Sequence, residues 1–249
     1  MQQNQLLVRS APQQSQVRDY ERSLARSAMS RTRADRPDRF ELRGRTWDLL
    51  DDVFAPIYSP STGIALDFLG WTETVSAPRT GSMLEIGCGT GMIAVTGALA
   101  GCDRVVASDI NPQAVANAAR NAARHQVSDR VEAVHSDLFD GLDPAERFDL
   151  IFWSSNYVLA PEDHTYGSVH DVAYVDAGYA AHRRFVAEAQ HRLAPGGSAL
   201  LHFSSRGDLG ALHALAAGAG RELRTLRSAF VQEGEHPVEH LLLEIVPAC

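Results

Sequence analysis

The stretch that decides the fold runs from Met83 to Val95 and reads MLEIGCGTGMIAV. Apolar residues crowd its first half, glycines alternate at 87, 89 and 91, and helix-forming residues follow. The pattern predicts a strand, a tight turn and a helix, with glycines that let the backbone bend sharply and approach a ligand closely. A second apolar run, RVVASD, ends on Asp109 about twenty residues later, the offset at which an acidic side chain meets a ribose diol. A third, RVEAVHSD, ends on Asp137.

Outward from this core, SMLEIG, RVVASD, RVEAVHS, FDLIFWS, SALLHFS and EHLLLEIV predict strands. Between them GMIAVTGALAG, NPQAVANAARNAARH, AGYAAHRRFVAEAQHRL and DLGALHALAAGAG predict helices, and Pro195-Gly196-Gly197 is expected to close a helix before SALLHFS. Alternating strands and helices mean βαβ units in a largely parallel sheet covered on both faces. The expected fold is therefore α/β: a doubly wound, mostly parallel, seven-stranded Rossmann-like sheet. Residues 1–61 are expected to form an N-terminal helical lid and a hairpin lead-in, and residues 62–249 the ligand-binding domain. A helix in TGIALDFLGW should start with Ser61 or Thr62 as its N-cap.

A chain of 249 residues can bury one substantial α/β core. Hydrophobic residues at 45% and charged residues at 22% exclude a disordered or fibrous class. No apolar run is long enough to span a bilayer and the polar N-terminus lacks a secretory core, so no membrane partner and a cytoplasmic location are expected. The formal charge of −8 argues against a nucleic-acid partner, because such affinity rests on cations that neutralise phosphates. Cys88, Cys102 and Cys249 are too scattered for a metal site or disulfide framework, so no metal is expected. All 23 Lys+Arg residues are arginine. A lysine-dependent P-loop, Schiff base or Tyr/Lys dehydrogenase is thereby excluded.

Arginines concentrate before residue 46, where VRDYERSLARSAM places Val17, Tyr20, Leu24 and Ala28 on one helical face. Asp19 and Glu21 in the first turn weaken a membrane role, and the expectation is a lid or docking helix over an acidic body.

Met92 stands where a dinucleotide fingerprint would place glycine or alanine for packing beside a pyrophosphate. Alternating glycines after an acidic residue suit instead a nucleoside with a positive sulfonium and an amino-acid tail, S-adenosylmethionine. From about Ser82 onward the sequence resembles class I S-adenosylmethionine-dependent methyltransferases. The resemblance implies that Glu85, Gly87, Gly89 and Gly91 hold the methionine part. It also implies that Asp109 bonds the ribose, Ile110 and Leu138 pack on the adenine, and Asp137 takes the adenine amino group.

Within that class FDLIFWSSNYV resembles the fourth-strand segment of the HemK-like small-domain branch, whose strand runs into Asn-Pro-Pro-Tyr. There the asparagine and a proline carbonyl grip a planar nitrogen acceptor. Here the four positions read Ser154-Ser155-Asn156-Tyr157, so the aromatic keeps its place while both prolines are gone and the amide lies two positions later. This departure shifts the expected acceptor from a protein glutamine to a small-molecule nucleophile of secondary metabolism. The candidate catalytic residues are Trp153, Asn156 and Tyr157. Tyr20, Ser154, His170, Tyr174 and Tyr179 are candidates for the acceptor pocket, and His164 or His170 for a general base. Two alternatives stand beside methyl transfer: cyclisation of the ligand to azetidine-2-carboxylate with release of methylthioadenosine, and a non-catalytic nucleoside-binding role. The oligomeric state is not legible.

Overall fold

The computed structural model describes residues 19–71 and 80–248. A helix, α1 (Tyr20–Thr32), leads into a hairpin of β1 (Arg39–Leu42) and β2 (Arg45–Asp48), and α2 follows at Ser61–Leu69. Next come β3 (Ser82–Ile86), α3 (Met92–Leu99), β4 (Arg104–Asp109), α4 (Pro112–Arg124), β5 (Val131–His135) and β6 (Phe148–Ser154). Short parallel strands β7 (Leu159–Ala160) and β8 (Asp176–Ala177) pair beyond β6. The chain then runs through α5 (Ala180–Glu188), β9 (Leu193–Ser204), α6 (Leu209–Gly218), β10 (Arg221–Glu233) and β11 (His236–Pro247).

Among the described residues the central sheet has seven strands in the order β10-β11-β9-β6-β3-β4-β5. Pairings from β9 across to β5 are parallel, whereas β11 joins β9 and β10 joins β11 antiparallel. One face packs on α2, α3, α4 and the hairpin through Trp47, Phe68, Met92 and Ala118. The other packs on α5 and α6 through Phe139, Phe185, Leu212 and Leu243. Strand order reverses between β3 and β6, so their carboxyl ends open the crevice where ligands of this architecture bind.

Several local expectations need correction. Ser61 is the first residue of α2 and Pro60 occupies the N-cap, with the Ser59 and Ser61 hydroxyls 3.1 Å apart. Pro195-Gly196-Gly197 lies inside β9, because the preceding helix already ends at Glu188 and a 3₁₀ turn covers Ala189–Arg192. Gly197 is required there by close strand approach, since a Cβ would sit 2.7 Å from the Phe148 carbonyl oxygen. The strand β10 was not foreseen: RELRTLRSAFVQE is an edge strand whose side chains are mostly exposed, so it has no apolar alternation.

The face by which α1 docks differs from expectation in part: Tyr20 and Leu24 pack against Val158, Ala160 and Val175, as the apolar spacing suggests. Val17 and Cys249 lie outside the described residues, Ala28 is exposed, and the buried positions are Ser23, Ser27 and Ser30. Small hydroxyl side chains four and three apart let the helix approach closely and bond across the interface. Among the described residues no helix is long and apolar enough to cross a membrane.

Candidate active site

The loops after β3, β4, β5 and β6, together with α1, enclose a cavity of about 420 Å³. Its first part is the glycine turn. Gly87, Gly89 and Gly91 all have positive φ, at 66°, 53° and 74°. A Cβ on Gly91 would lie 2.6 Å from the Ala118 Cα, so α3 meets α4 at a distance that only glycine allows. Cys88 donates its N–H to the Ser108 carbonyl and Gly91 donates to the Cys88 carbonyl, which pins the turn to β4.

Two carboxyls face this turn, that of Glu85 buried and that of Asp109 half-buried. Glu85 accepts the Ala94 N–H at 2.7 Å, and Asp109 accepts from Gly89 at 2.9 Å and from Asn111 at 2.8 Å. Among the described residues neither has an ion-pair partner, and burial pushes both carboxyls above the usual carboxylate range. A cationic ligand would reverse that shift by favouring the ionised forms. Each Asp109 oxygen also keeps a lone pair that its backbone donors do not use. The acceptor carboxyls, the open turn and the cavity volume therefore fit S-adenosylmethionine.

Ile110 lines the cavity with a side chain 39% exposed, and Leu138 lines it as a buried residue with φ of 52°. Asp137 lines it as well, but its Oδ2 already accepts Arg184 Nη1 at 2.9 Å. Trp153 backs the turn, its Nε1 3.3 Å from where a Cβ on Gly87 would stand, with its ring packed on His182 and Phe185.

The far part of the cavity is polar. Asn156 donates Nδ2 to the carbonyls of Val172 at 2.8 Å and Val175 at 2.9 Å. Because carbonyls only accept, this fixes the amide orientation, and the buried Oδ1 is left without a partner. His170, 1% exposed, has Nδ1 2.8 Å from Ser27 Oγ, which lies 2.6 Å from Asp171 Oδ1. The carboxylate accepts from the hydroxyl, so the hydroxyl must accept from Nδ1–H, and the lone pair of Nε2 is buried and unpartnered. Burial, with Arg36 next in effect, holds the imidazole at about 4, so it is neutral. Ser154, Tyr157 and Tyr174 complete this part. Burial pushes the Tyr157 phenol up to about 12 and that of Tyr174 upward.

Two residues expected in the pocket are elsewhere. Tyr179 is a brace: its hydroxyl donates to the Tyr157 carbonyl and accepts the Asp208 N–H, each at 2.7 Å. Tyr20 packs edge-on against His164 at 5.8 Å, and neither lines the cavity. Ser27 and Asp171, which orient His170, carried no signal because their partner lies far away in sequence.

Residues 83–176 match a family model described as a methyltransferase domain. A release factor glutamine methyltransferase of Bordetella pertussis is 33% identical over 167 residues, covering 64% of this chain and 59% of that protein. A putative protein N5-glutamine methyltransferase of Methanocaldococcus jannaschii is 35% identical over 118 residues, covering 46% and 57%. The chain thus spans less than two thirds of the length of these relatives. Among solved structures, the T. thermophilus 16S rRNA methyltransferase in complex with AdoMet and guanosine aligns with a TM-score of 0.53 at 21% identity, covering 83% and 49%. The M. jannaschii tRNA methyltransferase aligns at 0.55 and 14%, covering 84% and 54%.

These comparisons overturn the expected acceptor. Relatives named for glutamine methylation of proteins contradict a small-molecule substrate in secondary metabolism, and the cyclisation and non-catalytic alternatives fall with it. Exclusion of nucleic acid falls too, since RNA methyltransferases share the fold and net charge is no bar to a local contact. The loss of both prolines misled because it removes a backbone device while leaving polar acceptors at the end of β6. Residues 83–176 thus match a methyltransferase domain, and the chain is similar to the HemK-like glutamine methyltransferases within the class I fold.

Proposed function

We propose that the protein methylates a side-chain carboxamide nitrogen of a protein substrate, with glutamine as the acceptor residue. The observation that carries this is the pair of buried, unpartnered acceptors, Asn156 Oδ1 and His170 Nε2, in residues that line one cavity with the glycine turn. A carboxamide NH₂ has two coplanar hydrogens to donate, and an unpartnered acceptor in a buried site is costly until such a donor arrives.

Bound S-adenosylmethionine supplies an activated methyl group, so the protein's task is alignment and exclusion of water. Glu85 and the turn of Gly87, Gly89 and Gly91 would hold the methionine part, Asp109 the ribose, and Ile110 and Leu138 the adenine. Asp137 would share its carboxylate between Arg184 and the adenine amino group. Asn156, His170 and Ser154 would orient the acceptor, with Tyr157 and Tyr174 as its walls and Trp153 supporting the turn. In this reading the division at residue 61 would separate a lid and lead-in, described from residue 19 onward, from the binding domain, in a cytoplasmic protein.

The test is to incubate the protein with S-adenosylmethionine and a bacterial release factor or ribosomal protein extract, then map methylation by peptide mass spectrometry. A methylated glutamine that disappears when Asn156→Ala is used supports the reading. Methylation confined to another residue type, or to RNA in the extract, overturns it.

A further inference from the structure

A line of hydrogen bonds leads away from the acceptor end of the cavity, crossing the sheet one strand at a time. Ser154 on β6 has Oγ 3.0 Å from His202 Nδ1 on β9. His202 Nε2 is 3.0 Å from His240 Nδ1 on β11, and His240 Nε2 is 3.0 Å from Glu233 Oε1 on β10. These four strands are consecutive in the sheet order. Ser154 and His202 are also direct register partners. Both imidazoles are completely buried, at 0% exposure. The far end meets charge at the seam beneath α1: Glu233 Oε2 is paired with Arg206 Nη1 and lies 4.0 Å from Arg26 Nη1.

The direction of the chain follows from its end. Burial raises the Glu233 carboxyl, but the His240 hydrogen bond and Arg206 outweigh it, so the group is an ionised acceptor. With neutral rings His240 donates from Nε2 and accepts at Nδ1, His202 donates from Nε2, and Ser154 donates its hydroxyl to His202 Nδ1. The Ser154 oxygen is left with lone pairs on the cavity side.

We infer that Ser154, His202, His240 and Glu233 form a proton exit for the methyl-transfer reaction, an inference that rests on nitrogen methylation as proposed above. Methylation of a carboxamide forms a nitrogen–carbon bond, sends the carbon–sulfur pair to sulfur, and leaves the nitrogen one proton in excess. As the nitrogen becomes tetrahedral, one of its two N–H bonds leaves the acceptor that held it in the planar amide and breaks toward Ser154 Oγ, while the serine passes its own proton to His202 Nδ1. His202 Nε2–H moves to His240 Nδ1, and His240 Nε2–H moves to Glu233 Oε1. The excess positive charge is neutralised at the carboxylate, and neither buried imidazole has to hold a resident charge. Ser154 is the group that meets the acceptor, while His202, His240 and Glu233 are positioning residues that act through it.

Imidazole ¹⁵N NMR of the full chain at neutral pH tests the chain without any acceptor. Both His202 and His240 should be neutral Nε2–H tautomers, and an Nδ1–H tautomer or an imidazolium at either ring overturns the proposal. With an acceptor protein in hand, Ser154→Ala and His202→Gln should lower kcat by about tenfold to hundredfold, leave S-adenosylmethionine affinity unchanged and abolish the solvent deuterium isotope effect. Variants that bind the cofactor and turn over like the parent overturn the relay. If the parent itself transfers no methyl group to nitrogen, the functional proposal fails, whereas the tautomers still report on the chain.

Discussion

The two ends of the cavity are built in different ways. At the glycine turn the contacts that shape the site are local: Glu85 meets Ala94 nine residues on, and Asp109 meets Gly89 across twenty. At the acceptor end local bonds, Asn156 to Val172 and Val175 at separations of 16 and 19, are joined by ones that span the chain, Ser27 to His170 at 143 and Ser154 to His202 at 48. A local cradle is specified by backbone conformation, so its residue types are almost dictated. A site assembled across the fold is specified by side-chain hydrogen bonds, and many residue pairs could supply them.

The comparison can be broken most forcefully at Gly91. Gly91→Ala places a Cβ against the Ala118 backbone at a φ of 74°, so stability should fall by about 3 kcal/mol in urea denaturation, with loss of cofactor binding. Retention of both would show that the turn can move away from α4. Asp109→Ala should next weaken S-adenosylmethionine by about 2 kcal/mol, read by calorimetry, because a half-buried charged acceptor is lost. Unaltered affinity would mean that the ribose lies elsewhere.

The acceptor end should respond to pH. Burial holds His170 at about 4 and, with His240, His202 at about 3, against roughly 6.5 in the unfolded chain. Folded values below the unfolded one mean that the unfolded chain takes up protons first as the pH falls. Stability present above about pH 6.5 is then lost on acidification, with a slope approaching about 1.4 kcal/mol per pH unit for each histidine. Urea midpoints from about pH 8 to about pH 5 should show this slope, and His170→Asn should remove its own share and leave that of His202. A parent whose midpoint does not move would contradict burial of the neutral rings. The smallest effect is expected for Ser27→Ala, which removes the hydrogen bond that orients His170 and should cost turnover about 1 kcal/mol, a severalfold fall in kcat, at unchanged cofactor affinity. An equal loss in cofactor affinity would make Ser27 part of the local cradle.

Legibility in the sequence followed the same division. The strands β3, β4 and β5 and the turn residues could be read because apolar runs, alternating glycines and terminal aspartates are properties of contiguous sequence. The edge strand β10 could not, since exposure on both faces removes the alternation that reveals a strand. Tyr179 was misplaced because sequence position brings it near the pocket loop while its hydroxyl turns inward to brace Tyr157 and Asp208. The docking face of α1 was legible only in part: Tyr20 and Leu24 pack as the apolar spacing suggests, whereas the hydroxyl contact of Ser27 to His170 and Asp171 left no apolar signal.

Two asparagines of α4 carry a consequence for recombining this protein with others. Asn117 and Asn121 both donate to the Asp48 carbonyl and accept the N–H groups of Leu50 and Asp48, and Asn121 also donates to the Thr90 carbonyl in the glycine turn. Arg124 on the same helix grips the Asp48 carboxylate. A chimera that exchanges the lead-in at the start of α2 would strip three anchors from a helix it left behind. The workable crossover point lies beyond Arg124, so lead-in, turn and α4 are inherited as one unit.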